Sequence, residues 1–359
     1  MIILDWRYFC RRYLFDAYHI FSLLAGSLLL LTAGYRQYHA NEEVSDELEV
    51  YFIDVGQGDS TLIVDDGEAM LIDGGLSSQS QKIYSILKEK GIDTLSYVVA
   101  THPHADHVGG LSAALEAADC KQILVPYIES ENTTYNKFLN KAEEKDVAVN
   151  VVNDGDTFPL GEATLQVLGP TDILPNEENN NSIVLRMDYK DVSFLFTGDA
   201  EQMEEQLILY NHFDEVNVDV LKAGHHGSYN AASSAWLHAV SPSYTVISCG
   251  KDNVYGHPHI ETVDGLKKVG SAIYRTDQQG TITCRTDGKN ISFETEKQSQ
   301  VQETQKVTSG YVLNTRSKKF HTMDCESVNE MAEHNKEISS LTRDEIIQEG
   351  YTPCGQCNP

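Results

Sequence analysis

Short apolar runs alternate with longer amphipathic stretches through most of this chain. Runs of β type fall at residues 48–55, 61–64, 70–73, 97–100 and 123–125, then at 183–187, 192–196, 218–221, 244–248 and 281–284. Apolar positions at helical spacing predict helices over 79–90, 108–118, 200–210, 232–239 and 261–269. Strands at both hairpin and crossover separation predict an α/β (α+β) chain of mixed sheets with helices outside. No internal repeat is present.

The two ends read differently. Arg7, Arg11 and Arg12 precede an apolar run over 20–33, broken only by Ser22, Gly26, Ser27 and Thr32. This is the order of a signal peptide, and residues 1–40 are read as a signal peptide or an N-terminal membrane anchor, hence an extracytoplasmic protein. A buried first helix is the alternative, and an acidic stretch over 41–47 speaks against it. Past residue 296 the chain turns polar, with glutamines and no apolar period, so 297–309 is read as a linker and 310–359 as a small module. The domain between them spans 48–296.

The 359 residues, 41% hydrophobic and 23% charged, suffice for one large core and an appendage. Charge changes the picture more: 27 basic against 54 acidic residues leave −27, and −26 of it falls on residues 41–300. A protein that simply coats DNA is excluded by that balance. Seven cysteines are too few for a disulfide scaffold of this size, and their odd number argues against complete pairing.

Candidate chemistry concentrates in His102-Pro103-His104-Ala105-Asp106-His107, directly after the apolar run ending at Ala100. Alternate residues at a strand end share a direction, so His102 and His104 can face one ion. A turn into a helix lets Asp106 and His107 face a second, about 3.5–4 Å away.

This signature resembles the metallo-β-lactamase superfamily. Asp54 through Ser60, Leu71 to Gly75, Phe196 to Ala200, His225-His226-Gly227-Ser228 and Tyr255 to His259 are similar to the soluble domain of ComEC-type DNA-uptake competence proteins, in consistent order from about residue 48 to 293. No second long apolar run follows, so the likeness is to the detached hydrolase domain and not to a membrane channel.

The resemblance implies an αββα sandwich of two mixed sheets holding two divalent metals, zinc by default and manganese as the alternative. His102 and His104 would bind the first metal and Asp106 and His107 the second, with Asp199 bridging. His226 would complete the second site, although His225 and His226 could exchange roles. Asn179-Asn180-Asn181 stands where many members carry a further histidine, which leaves the first site a ligand short; Asn181 would bind weakly, contact substrate, or merely shape a turn. Asp106, His225 and His257 are the candidate catalytic groups and Ser228 a substrate contact. Asp54, Asp59 and Asp73 would orient histidines from behind or cap turns. The reaction implied is attack by a metal-bridging hydroxide on a phosphodiester.

In the tail, His321 and Cys325 are followed by Cys354 and Cys357, four ligands suited to one structural zinc. The segment is similar to the Ada-type metal-binding domain, with His321 where a cysteine stands in the repair proteins; a Cys354–Cys357 disulfide is the other reading. The function expected is an exported metal-dependent phosphodiesterase or nuclease acting on DNA. The alternatives are a hydrolase of small phosphoesters, such as a nucleotide or phosphocholine decoration, and a non-enzymatic DNA-uptake accessory.

Overall fold

A computed structural model describes residues 47–127, 129–297 and most of 311–357. The segment read as signal or anchor and residues 298–309 of the linker lie outside the described residues. Among the described residues no helix is long and apolar enough to cross a membrane.

The first sheet contains β1 (Leu48–Phe52), β2 (Thr61–Asp65), β3 (Glu68–Ile72), β4 (Thr94–Val99), β5 (Asp119–Val125), β6 (Ala148–Val151), β14 (Ile282–Thr286) and β15 (Ile291–Thr295). Its order is β15-β14-β1-β2-β3-β4-β5-β6, parallel from β3 to β6 and antiparallel elsewhere. The second sheet holds β7 (Thr157–Leu160), β8 (Ala163–Gly169), β9 (Val184–Tyr189), β10 (Val192–Phe196), β11 (Val220–Lys222), β12 (Tyr244–Ile247) and β13 (Ala272–Arg275) in the order β13-β12-β11-β10-β9-β8-β7. Here β10 to β13 run parallel.

Alternation along each strand explains the layers. Leu48, Val50 and Phe52 of β1 join Phe194 and Phe196 of β10 in a core between the sheets. Tyr51 and Ile53 point the other way, into a core shared with Ile83 and Leu87 of helix Ser80–Glu89 and with Leu111 and Ala114 of helix Leu111–Ala117. Leu195 likewise faces Ile208 of helix Gln202–His212 and Trp236 of helix Ser234–Val240. Strands buried on both faces read as continuous apolar runs. The result is the helix–sheet–sheet–helix sandwich that the resemblance implies.

One expected helix is split. Residues 108–118 form parts of two pieces, Ala105–Val108 and Leu111–Ala117, separated by Gly109-Gly110. A Cβ on Gly110 would lie 2.1 Å from the Gly74 carbonyl oxygen. That close approach, tied by Gly74 N–H to His107 O at 2.6 Å and Gly110 N–H to Gly75 O at 3.0 Å, brings the end of β3 against the metal motif.

The described residues fall into two compact units that divide between Glu296 and Lys297. The second has β16 (Tyr311–Asn314), β17 (Lys319–Thr322), β18 (Lys336–Ser339) and β19 (Thr352–Pro353) in the order β18-β16-β17-β19. Among the described residues its buried apolar cluster is Leu313, Phe320, Ile346 and Tyr351. So small a core calls for a staple.

Candidate metal centre

The site lies where parallel strands of both sheets end. Asp73 follows β3, His102 follows β4, Asp199 follows β10, and His225-His226 follow β11. Ligand sites form at the carboxyl ends of such strands because the chain leaves the sheet there in loops free to point side chains inward. The two sheets are tied at this point by Ile183 N–H to Thr101 O at 2.9 Å.

Asp199 is the focus. Its Oδ2 lies 3.2 Å from His107 Nε2, 3.5 Å from His226 Nε2, 3.8 Å from His102 Nε2 and 3.9 Å from His225 Nε2. Asp106 Oδ2 adds a contact of 3.3 Å to His226 Nε2. His102, His107, Asp199 and His226 are buried, and the Nε2 atoms of the three histidines have no hydrogen-bond partner. Buried polar atoms are ordinarily satisfied, so orphans aimed at one carboxylate fit a cation between them.

Two groups of ligand atoms emerge, each within 4.8 Å: His102, His104 and Asp199, and Asp59, His107, Asp199 and His226. Asp59 belongs behind the second group. Its Oδ1 meets His226 at Nδ1, 3.2 Å away, and its Oδ2 pairs with the buried Lys222.

The far faces of the histidines are held. Asp73 Oδ2 accepts from His107 Nδ1 at 2.7 Å, while Thr101 N–H donates to Asp73 Oδ1 at 2.9 Å and Thr101 Oγ1 to Oδ2 at 2.6 Å. Ser182 Oγ accepts from Asp199 N–H at 3.0 Å and lies 3.3 Å from His102 Nδ1. His226 Nδ1 also reaches Ser248 O at 3.1 Å. Such partners fix the tautomer that leaves Nε2 for the ion.

His225 and His226 sit at φ 42° and 53°, a left-handed pair followed by Gly227. Side chains other than glycine rarely adopt this conformation, and it costs on the order of 1 kcal/mol or more per residue. It turns both imidazoles toward Asp199. His226 is buried, whereas His225 is partly open, with Nδ1 2.7 Å from Glu201 Oε1.

Charge at the centre is strongly coupled. Burial lowers the affinity of His226 for a proton, but the Asp199 and Asp59 carboxylates outweigh it and raise its pKa to about 10. His107 is raised in the same way, against burial, by Asp199 and Asp73. Burial raises Asp199, yet His107 and His226 hold it well below the usual carboxylate range. Burial and the neighbouring His107 push His102 down. A dication bound there would compete with protons for these nitrogens.

The remaining sequence candidates are placed as follows. His257 is ring-to-ring with His225 at 5.4 Å and reaches Gln57 Nε2 at 3.4 Å through Nδ1. Burial, then His226 and His225, lower its pKa to about 4. Its neighbour His259 accepts from Tyr229 N–H at 3.1 Å.

Three candidates are engaged locally. Asn181 is not brought to the ions: Oδ1 accepts from Leu174 N–H at 2.7 Å and Nδ2 donates to Leu174 O at 2.9 Å, so the amide closes a loop. Ser228 Oγ accepts from Asn230 N–H at 3.3 Å, inside its own turn. Asp54 Oδ1 accepts from Gly56 N–H at 3.2 Å, a turn cap.

Sequence reading assigned no role to Thr101, Ser182, Glu178 and Glu201, residue types with no motif signature of their own, and it had Lys222 only as a cation near the motifs. Glu178 Oε2 lies 3.0 Å from His104 Nε2.

In the second unit His321, Cys325, Cys354 and Cys357 bring one ligand atom each within 4.8 Å, and His321 Nδ1 is 3.5 Å from Cys325 Sγ. The six described cysteines are free thiols, so the alternative Cys354–Cys357 disulfide is not formed.

Against this geometry, residues 53–251 match the metallo-beta-lactamase superfamily. The chain belongs to that superfamily. It is 33% identical over 268 residues to ComE operon protein 3 of Bacillus subtilis, covering 70% of this chain and 34% of that one. Recombination protein 2 of Haemophilus influenzae is 30% identical over 239 residues (65% and 28% covered), and competence protein ComA of Neisseria gonorrhoeae 28% over 255 (71% and 34%). The matched region thus spans about a third of each of these relatives. Within the metallo-beta-lactamase superfamily the chain is a metal-dependent hydrolase fold related to competence proteins.

Proposed function

We propose that the chain is an extracytoplasmic dinuclear phosphodiesterase that cuts DNA. The carrying observation is the convergence of four imidazole Nε2 atoms on Asp199 Oδ2, together with two groups of ligand atoms that share Asp199. His102, His104 and Asp199 would hold one ion; Asp106, His107, His226 and Asp199 the other. Two divalent cations bound there supply a nucleophilic water near neutral pH and neutralise charge on the phosphoryl oxygens.

The chain's own residues do the rest. Asp73 and Asp59 keep His107 and His226 aimed at the ions, and Ser182 does so for His102 and the Asp199 backbone. His225, less buried and held by Glu201, would meet a substrate oxygen. His257 would donate or accept a hydrogen bond as a neutral imidazole. Relation to competence proteins supports DNA as the substrate and an extracytoplasmic location.

A second reading is favoured by charge. Of the four cations near the motifs, Lys222 pairs with Asp59, Arg275 with Asp277 at 2.7 Å, and Arg186 with Asp188 at 2.6 Å, while Lys251 is exposed. Little is left to track a long phosphate backbone, which suits a small phosphoester. In the second unit the His321, Cys325, Cys354 and Cys357 cluster would hold one structural zinc that replaces a core of four apolar residues.

Incubating the protein, with zinc or manganese, with labelled single- and double-stranded DNA and a chromogenic phosphodiester tests this. Cleavage of DNA that D199A abolishes is expected. Turnover of the small ester alone would transfer the assignment to small phosphoesters; inactivity of the metal-loaded protein on all three would overturn the proposal.

A further inference from the structure

Aromatic rings continue outward from the metal centre. His225, whose Nε2 lies 3.9 Å from Asp199 Oδ2, is 5.4 Å ring to ring from His257. His257 in turn meets Tyr255 at 5.6 Å with the planes only 23° apart, and meets His259 edge-on at 5.0 Å. His259 then meets Tyr229 at 5.0 Å. These separations are those of interacting aromatic pairs. The run is closed at one end and open at the other: His257 is buried, whereas Tyr255 and Tyr229 are 62% and 58% exposed. Val254 and Ile260, next to Tyr255 and His259 in the chain, are exposed as well.

Apolar side chains scattered singly on a surface need no explanation, but a contiguous group beside a reaction centre does. The two loops that carry these tyrosines are also fixed. Asn253 Nδ2 donates to Gly250 O at 2.8 Å and to His257 O at 2.6 Å, while its Oδ1 accepts from Tyr255 N–H at 3.1 Å and His257 N–H at 3.0 Å. The loops are joined by His259 N–H to Gly227 O at 2.9 Å, by Tyr229 N–H to His259 Nδ1 at 3.1 Å and by Thr262 Oγ1 to Ser228 O at 2.9 Å. Tyrosines on a rigid frame offer a large contact area at low conformational cost.

Charge narrows what such a surface can take. Three of the four cations near the motifs pair with aspartates, so side-chain contacts to phosphate supply little affinity. Stacking of a base on an aromatic ring needs no cation, and it accepts every base because each has a π-face. In a duplex those faces are covered by the neighbouring base pairs. In an unpaired strand they are free.

We propose that Tyr255 and Tyr229 form a stacking platform for unpaired nucleobases beside the scissile phosphate, so that the site takes single-stranded DNA in preference to duplex. This rests on the DNA phosphodiesterase reading above and deepens it. The tyrosines position the strand and touch no reacting atom.

Fluorescence anisotropy of the full-length D199A protein, which leaves a strand uncut, tests this with three labelled probes of one length: oligothymidylate, the same backbone without bases, and a duplex. Oligothymidylate should bind at least about tenfold more tightly than either of the others. Adding Y229A and Y255A together should remove the difference, and Y229F with Y255F should retain it. The thermal midpoint should be unchanged in both, since the two side chains are largely exposed. In the manganese-loaded protein with Asp199 intact, the alanine pair should raise KM for single-stranded DNA at least about tenfold with little change in kcat.

Oligothymidylate bound no more tightly than the abasic strand or the duplex, or a preference that survives the alanine pair, would overturn the platform. If the manganese-loaded wild-type protein still cuts DNA, the phosphodiesterase reading stands without it. Wild-type protein that cuts no DNA would instead remove that reading, and this inference with it.

Discussion

His226 and His107 show how one residue's surroundings decide its chemistry. Each imidazole has a carboxylate behind it and Asp199 before it, and without a metal these carboxylates raise the proton affinity of both, that of His226 to a pKa of about 10. A dication must displace those protons. Metal binding at pH 7 should therefore release about one proton from each of the two histidines, and affinity should fall as pH falls. Calorimetry in buffers of different ionisation enthalpy reads the release; uptake or no exchange would contradict it. Asp73, fixed by Thr101, orients His107, so D73N should weaken metal binding by about 10–100-fold with little change in fold, measured by competition with a chelator. The metal-motif histidines and Asp106 were legible because six consecutive positions carry them. Ser182, Glu178 and Glu201 were not, since what makes them matter is the loop geometry that delivers them from sequence-distant segments. For Asn181 the sequence left a weak ligand, a substrate contact and a turn open, and its amide contacts with Leu174 fit the turn.

Loops at the strand ends carry these residues, and the helices behind them are locked by buried carboxylates. Glu205 accepts from Ala232 N–H at 2.5 Å and Ser233 N–H at 3.0 Å, and Ser233 caps helix Ser234–Val240. Glu204 accepts from Thr171 N–H at 2.8 Å. Burial pushes both carboxyls up to about 7, against the lowering effect of those hydrogen bonds. A carboxyl raised on folding binds its proton more tightly in the native state. Its contribution is full below the ordinary value near 4.5 and is lost as pH rises toward about 7. E205Q should therefore flatten the fall in urea midpoint between pH 5 and pH 7 relative to wild type; an unchanged slope would contradict the assignment. Most sandwich strands were legible because burial on both faces makes them continuously apolar. Five strands were not: β6, β7, β13 and β15 lie at or next to sheet ends with half-buried or exposed positions that weaken their alternation, as in β15, whose residues alternate between half-buried and exposed, and the interior β8 mixes Thr164 and Gln166 into its apolar run. Helix Thr133–Glu144 also escaped, although Asn132 caps it through Thr134 N–H and Tyr135 N–H. It presents only Tyr135, Phe138 and Ala142 to the core.

Considered whole, the molecule is a strongly acidic hydrolase fold joined to a unit with a very small core. With a net −26 over residues 41–300 and the nearby arginines paired internally, few phosphates can be neutralised by side chains. DNA affinity should therefore depend weakly on salt, with a log–log slope of about −1 to −2 in place of the steep slopes of about −6 to −9 that many phosphate contacts give. Fluorescence anisotropy across a salt series measures it. The cysteine cluster should stabilise its own unit alone: C354S should lose one zinc and the thermal transition of residues 311–359 while leaving phosphodiester turnover unchanged. Charge, fold class and two-part organisation could be argued from sequence, whereas the internal pairing of Lys222, Arg186 and Arg275 required the fold. Crystals soaked in manganese, with anomalous scattering collected at its absorption edge, test the central claim most directly. The account predicts two peaks beside Asp199 Oδ2, one next to His102 and His104 and the other among Asp106, His107 and His226. A single peak, or an ion ligated by Asp59, would contradict it.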